Sequence, residues 1–352
     1  MTFLHGRGAG QQQQRNWRII GRLLGLFSAA FLIFLACYGL WLWSYAVTPG
    51  TRGADAPAIQ VLIPPKTSFA GIQQILAEKG LIRPDRRFFH LARLLRSSQR
   101  LKAGEYLLSP GQTPYEMLQI LEAGAVVPRA VTIPEGVNIY QVADILAAGG
   151  WGTQEEILQL LRDKDILGRF GVEGESLEGY LFPDTYHLVH GQSPEGIIKM
   201  MVERGRQVRE GLGNLTENRF GLSAREVIIL ASIVEKETGV PEERPLIARV
   251  FLNRLALGMR LQTDPTVIYG IAGFDGNLTR KDLQTVTPYN TYMVGGLPPG
   301  PIANPGREAI LAVLQPSKDS YLYFVSKNDG THHFSKTLAE HNRAVFLYQK
   351  RK

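Results

Sequence analysis

The sequence predicts an α+β fold behind a single membrane-spanning helix, and three features carry that prediction. Short β-like runs alternate with amphipathic stretches of helical period along most of the 352 residues, the pattern of a mixed fold rather than of a long helical bundle. One such combination occurs twice. Val61-Leu-Ile-Pro64 leads into an amphipathic stretch through Ile72, Ile75 and Leu76 to Gly80, and 70 residues later, without a gap, Val131-Thr-Ile-Pro134 leads through Val142, Ile145 and Leu146 to Gly150. Each copy reads as a strand, a turn at proline and a helix closed by glycine. Finally, Leu23 to Tyr45 is an almost unbroken apolar run with no charge.

Taken in order, residues 1–22 form a tail carrying Arg7, Arg15, Arg18 and Arg22, and residues 23–45 form the span. At ~1.5 Å per residue a helix of that length covers the ~30 Å hydrocarbon core. Trp41, Trp43 and Tyr45 at its far end read as interfacial anchors. The arginines at its near end put the tail in the cytoplasm and everything after about residue 46 outside the membrane. A cleaved signal peptide would have a shorter apolar core and a small-residue cleavage site. Phe34-Leu-Ala-Cys37 faintly resembles a lipoprotein cleavage site, but eight mostly apolar residues follow Cys37, as an uncleaved span requires.

Residues 46–58 are a linker, rich in Pro, Gly and Thr from Thr48 to Pro57. Residues 59–128 hold the first repeat copy, then Gly104-Glu-Tyr-Leu-Leu and a helix from Pro114 to Gly124. This subdomain has the size of a LysM-like, glycan-contacting module; a spacer that sets the height of the next domain fits its composition equally well. Residues 129–352 read as one larger domain. Its clearest helix is Ser223–Thr238, with Ser223 and Glu226 as a capping box, Gly239 as the stop and an interior, Val227 to Val234, that is apolar nearly all round. A helix from Pro245 to Leu257 ended by Gly258, a strand Tyr321–Val325 and a terminal helix from about Leu338 follow.

The formal charge of +7 falls to +3 once the four tail arginines are removed, so the body carries no extended phosphate-binding surface, and no nucleic-acid module is present. One cysteine, Cys37, allows no intramolecular disulfide or CxxC pair. There is no GxSxG elbow, Walker A loop, GxGxxG or HExxH, and His332, His333 and His341 lack a matching acidic or cysteine cluster. Neither a metal nor any other cofactor is expected.

Charges are seldom buried without a reason, and an apolar helix that ends in Val234-Glu-Lys-Glu-Thr238 puts three of them where the chain leaves the core. Glu237 follows Leu230, Ile233 and Val234 by seven, four and three residues, and so extends an apolar stripe; Glu235 faces elsewhere. Apolar neighbours and the negative end of the helix dipole both raise the pKa of such a carboxyl, as a general acid near neutral pH needs. The alternative is a pair of solvated glutamates bound to Lys236 or Arg244. Further along, Arg260 to Gly270, Thr287 to Tyr292 and the Pro/Gly loop Gly295 to Gly306 are polar, aromatic-bearing segments suited to sugars. From them Gln262, Asp264, Tyr289, Asn290 and Tyr292 are candidate substrate ligands, although Asp264 could instead cap a helix and Tyr289-Asn290 could make a turn.

Five blocks, Leu230 to Thr238, Met259 to Gly270, Tyr289 to Tyr292, Gly296 to Gly300 and Glu178 to Tyr186, closely resemble the MltG (YceG-like) endolytic murein transglycosylases. That resemblance implies a single-pass protein of the bacterial inner membrane with its body in the periplasm or outer wall zone. It implies a LysM-like subdomain, the lipid bilayer and peptidoglycan glycan strands as partners, and peptidoglycan synthases as further partners. It also places the catalytic glutamate, the second acid of Val-Glu-Lys-Glu, on Glu237. The implied reaction cuts the MurNAc–GlcNAc bond within nascent strands and leaves 1,6-anhydro ends. A lysozyme-like hydrolase with Asp264 as second carboxylate and a non-catalytic wall-binding scaffold are the competing expectations.

Overall fold

The computed structural model describes residues 8–50 and 56–350. Arg7, residues 51–55 of the linker and the side chains of Arg15 and Arg18 lie outside that description. The chain divides into two compact units, one ending at Pro128 and the other beginning at Arg129.

In the first unit α1 (Gly8–Ala46) is longer than the apolar run alone, because the arginine-bearing segment continues the same helix. Its part from Ile20 to Ala46, 27 residues of mean hydropathy 2.3, is long and apolar enough to cross a membrane. Then come β1 (Ile59–Ile63), α2 (Phe69–Glu78), α3 (Arg87–Leu94), β2 (Gly104–Leu108) and α4 (Pro114–Ala123). β1 and β2 pair antiparallel with Val61 opposite Tyr106. The two-residue period of the strands turns Val61, Ile63, Tyr106 and Leu108 inward onto Leu76, Phe88, Leu118 and Leu121. A two-stranded sheet has too little apolar face to be stable alone. Here Tyr45 and Ala46, from the last turn of α1, complete the core. Tyr45, expected at a membrane interface, is therefore 2% exposed and lies under the Arg87 guanidinium, 4.7 Å from its ring centre; Trp41 and Trp43 stay exposed.

The second unit opens with the other repeat copy, β3 (Arg129–Thr132) and α5 (Ile139–Ala148). The copies correspond down to their caps, Ser68 and Asn138, and to left-handed glycines, Gly80 and Gly150. Their strands find unrelated partners, β1 pairing with β2 and β3 with β4 (Thr185–Leu188) across α6 (Gln154–Leu161) and α7 (Lys164–Phe170). The repeat is thus one strand–helix unit and not a whole domain. With α8 (Pro194–Gly211), these helices enclose one apolar cluster that includes Leu146, Trp151, Ile157 and Met201. A second cluster is built by α9 (Ala224–Glu237), α10 (Arg244–Ala256) and, beyond α11 (Asp264–Tyr269) and α12 (Arg280–Gln284), by α13 (Arg307–Leu314). The hairpin of β5 (Tyr323–Ser326) and β6 (His332–Ser335) and the helix α14 (Leu338–Val345) close the chain.

The capping box of Ser223 and Glu226 starts α9, and all eight residues from Val227 to Val234 are buried. It ends at Thr238 as expected, but not by a glycine stop. Gly239 has no left-handed backbone; the helix stops because Thr238 turns extended, φ −146° and ψ 138°, and its hydroxyl accepts the Val240 N–H at 3.0 Å. β5 begins two residues later than expected, since the Tyr321 and Leu322 carbonyls accept from Asn253 (2.8 Å) and Arg254 (2.7 Å) of α10.

Candidate active site

Successive helix residues point ~100° apart, and the three charges closing α9 accordingly go three ways. Glu235, with a side chain 5% exposed, accepts from Arg244 at 3.1 Å and from the Gly306 N–H at 2.9 Å. Lys236 donates to the Gly136 carbonyl at 3.1 Å. Glu237 enters an open cleft of about 450 Å³ whose walls include Gln262, Thr263, Asp264, Tyr292, Tyr323 and His332. Of the ion pairs considered for the two glutamates, only that of Glu235 with Arg244 forms.

Glu237 is held by one short contact, the Thr263 hydroxyl donating to Oε1. Thr263 is in turn fixed inside a buried threonine cluster. Its N–H donates to Thr291 Oγ1 at 3.1 Å, Thr266 donates to its carbonyl at 2.8 Å, and the Thr266 and Thr291 hydroxyls meet at 2.9 Å. Burial is the largest influence on Glu237 and pushes its pKa up to about 7; the Thr263 hydrogen bond opposes it, the charge of Asp264 reinforces it, and His332 and Arg254 oppose it. A carboxyl tuned in this way is protonated and ionised in comparable amounts near pH 7. It can give a proton and take one back.

Gln262 and Asp264 flank the buried Thr263 and are themselves exposed to the cleft. Gln262 has φ +51°, a left-handed conformation costing a non-glycine residue roughly 1–3 kcal/mol. Its N–H on the Thr291 carbonyl (3.2 Å) and the Arg254 guanidinium on the Leu261 carbonyl (2.7 Å) hold the turn there. Tyr292 donates to Asp264 Oδ1 at 2.7 Å.

Of the five expected substrate ligands, Gln262, Asp264 and Tyr292 therefore stand around Glu237. Asn290 is 0% exposed. Its amide donates to the carbonyls of Asp282, Leu283 and Thr285 at 3.1, 3.1 and 2.6 Å, and its oxygen accepts the Tyr292 N–H at 2.9 Å, so it shapes the loop that carries Tyr292. Tyr289 is absent from the walls of this cleft and packs on Tyr269, ring centres 4.9 Å apart. Asp264 opens α11 from its first turn without serving as the cap, which is Thr263.

Thr263 and Thr291 also belong to the site without being among its expected residues, and His332, named above only as an unsuited metal ligand, lines the cleft. Thr263 had a signal, lying in sequence between two candidate ligands; the other two had none. A larger cleft of about 790 Å³ shares the wall formed by the ends of α9 and α11, with Tyr140, Lys236, Pro265, Ile268 and Phe274 among its lining. Behind it Glu178, fully buried, accepts from the Ile139 N–H, the Tyr269 hydroxyl and the Asn304 amide at 3.0, 3.1 and 3.2 Å; burial raises its pKa to about 8. Among the described residues no group of three His, Cys, Asp or Glu side chains is placed to hold a metal ion.

The chain matches the YceG-like family model over residues 61–346. It is 32% identical over 327 residues to an endolytic murein transglycosylase of Bacillus subtilis, covering 88% of this chain and 90% of that one. It is 29% identical to an endolytic murein transglycosylase of Streptococcus pneumoniae R6, covering 91% of this chain and 64% of the longer pneumococcal protein. The crystal structure of a yceG-like protein from Listeria monocytogenes, 35% identical, superposes with a TM-score of 0.56 over 82% of this chain and all of the other. With the family model covering most of its length, the chain belongs to the YceG-like family.

Proposed function

We propose that this protein is a lytic transglycosylase that cuts peptidoglycan glycan strands internally, with Glu237 as general acid and base. The observation that carries the reading is the Glu237 carboxyl in an open polar cleft, pushed to about pKa 7 by its own burial. Protonated Glu237 donates to the oxygen joining N-acetylmuramic acid to N-acetylglucosamine as charge develops at the muramic anomeric carbon. The ionised carboxyl then recovers a proton from the sugar's C6 hydroxyl, which closes a 1,6-anhydro ring without consuming water. Gln262, Asp264 and Tyr292 hold the strand around that bond.

The relatives named as endolytic murein transglycosylases support this substrate and reaction. In the same reading, Ile20–Ala46 anchors the protein in the bacterial inner membrane with its N-terminus in the cytoplasm and both units outside. The first unit acts there as a LysM-like glycan-contacting module, and peptidoglycan synthases are its protein partners.

A lysozyme-like hydrolase is the second reading, and the presence of Asp264 in the same cleft as Glu237 favours it, since a second carboxylate could activate water. Digestion of purified peptidoglycan by the protein, with products read by mass, decides between them. Anhydro ends, lighter by one water, are the expected result; reducing ends would overturn the transglycosylase reaction and leave Glu237 as the acid. No cleavage by a folded protein would leave a wall-binding scaffold.

A further inference from the structure

The Glu237 cleft is lined by a histidine, His332, that the cycle above does not use. Glu243, in the short turn Pro241–Glu243 that follows α9, is buried and holds His332 with both oxygens. Oε1 accepts the His332 backbone N–H at 2.7 Å, and Oε2 lies 2.7 Å from Nδ1. Thr238, the residue after Glu237, donates to the same Oε2 at 3.2 Å. The imidazole meets Phe324 edge-on, ring centres 5.4 Å apart, so its plane is fixed. A carboxylate only accepts, hence Nδ1 carries the hydrogen. Nε2 is left without a partner among the described residues, on a ring that lines the cleft.

In the same cleft, Oε1 of Glu237 is committed to Thr263, which leaves Oε2 for the substrate. Ring closure involves two substrate oxygens, one leaving with a proton and one entering and losing its own. The geometry points to His332, oriented by Glu243, as the group that takes the proton of the entering hydroxyl and returns it to Glu237. This rests on the reading of Glu237 as the acid given above and changes one step of it: Glu237 recovers the C6 proton through His332 instead of directly. The proton on Glu237 Oε2 passes to the glycosidic oxygen as the bond to C1 breaks and its electron pair stays on that oxygen. The C6 oxygen bonds to C1 and its proton goes to Nε2, forming an imidazolium that faces the Glu243 carboxylate. Nε2–H then protonates Glu237, and both groups are as they began.

The test uses the full chain in detergent on purified glycan strands. His332→Ala is expected to lower kcat by about 10²-fold or more with little change in KM. Added imidazole should recover at least about tenfold of that loss in proportion to its concentration, because it supplies the missing base. His332→Gln, whose amide N–H keeps the bond to Glu243, should be as slow as His332→Ala while melting like the wild type. A kcat within about threefold of wild type in either folded variant overturns the relay. So does a folded, slow His332→Ala that imidazole leaves unchanged; if His332→Ala does not fold, His332→Gln decides alone. Glu237→Gln in parallel separates the two ideas. If it stays active the reading of Glu237 fails, whereas a dead Glu237→Gln beside an active His332→Ala removes only the relay.

Discussion

Glu237→Gln keeps the shape of the side chain and its acceptor for Thr263 while removing the transferable proton, so strand cleavage should drop ~10²–10⁴-fold in an endpoint digest. The same change should stabilise the fold at alkaline pH. The pKa of Glu237 is raised by folding, so between the ordinary 4.5 and about 7 the folded state keeps a proton that the unfolded chain has released. Stability therefore falls as pH rises through that window, by about 3 kcal/mol at most. At pH 8 Glu237→Gln should melt above the wild type, and at pH 4 the two should coincide; equal melting at both would rule out burial as the cause. Thr263→Val removes the hydrogen bond that opposes the upward shift, so the alkaline fall of kcat/KM should move to higher pH. Glu235→Gln breaks a buried pair with Arg244, and a loss of about 3–5 kcal/mol is expected with the turnover of the folded fraction unchanged. A dead but fully folded Glu235→Gln would reassign the acid.

Helix α9 was readable because its signals are local: a capping box at Ser223, eight apolar residues and then charge. Ser223→Ala should cost about 1 kcal/mol, measurable by denaturant unfolding. The place of its C-terminus was readable and the means was not, since Thr238 is held by Glu243, five residues on in a turn that no periodicity announces. The same limit explains the mixed fate of the candidate ligands. Gln262 and Asp264 belong to a polar run visible in sequence, whereas Asn290 looks like any sugar-binding amide until the carbonyls of Asp282, Leu283 and Thr285 are seen around it. Asn290→Ala strips those contacts and frees the loop of Tyr292. It should lower both melting temperature and cleavage, and loss of cleavage alone would mean that Asn290 reaches substrate.

For the whole molecule, the strand–helix duplication was legible because the two copies keep one spacing and one set of caps, while the strands' partners were not, being set by residues 41 to 59 positions away. The contribution of α1 to the first unit was equally hidden, as Tyr45 sits at the end of a run whose composition speaks only of lipid. A fragment of residues 41–128 should consequently fold more stably than one of residues 57–128, as read by circular dichroism on heating. A reporter active only outside the cytoplasm, fused to the C-terminus, should give signal in intact cells; silence from a stably made fusion would reverse the topology.

Tyr45 and Ala46 belong at once to the long helix and to the interior of the first unit, so the shaft and the head cannot swivel independently. Each residue of an α-helix adds ~100° of rotation and ~1.5 Å of rise. Deleting one residue near Gly39, upstream of the shared core, would therefore swing the β1–β2 face about a quarter turn around the axis of that helix. In that sense the helix is an index pin that fixes a compass bearing as well as a height.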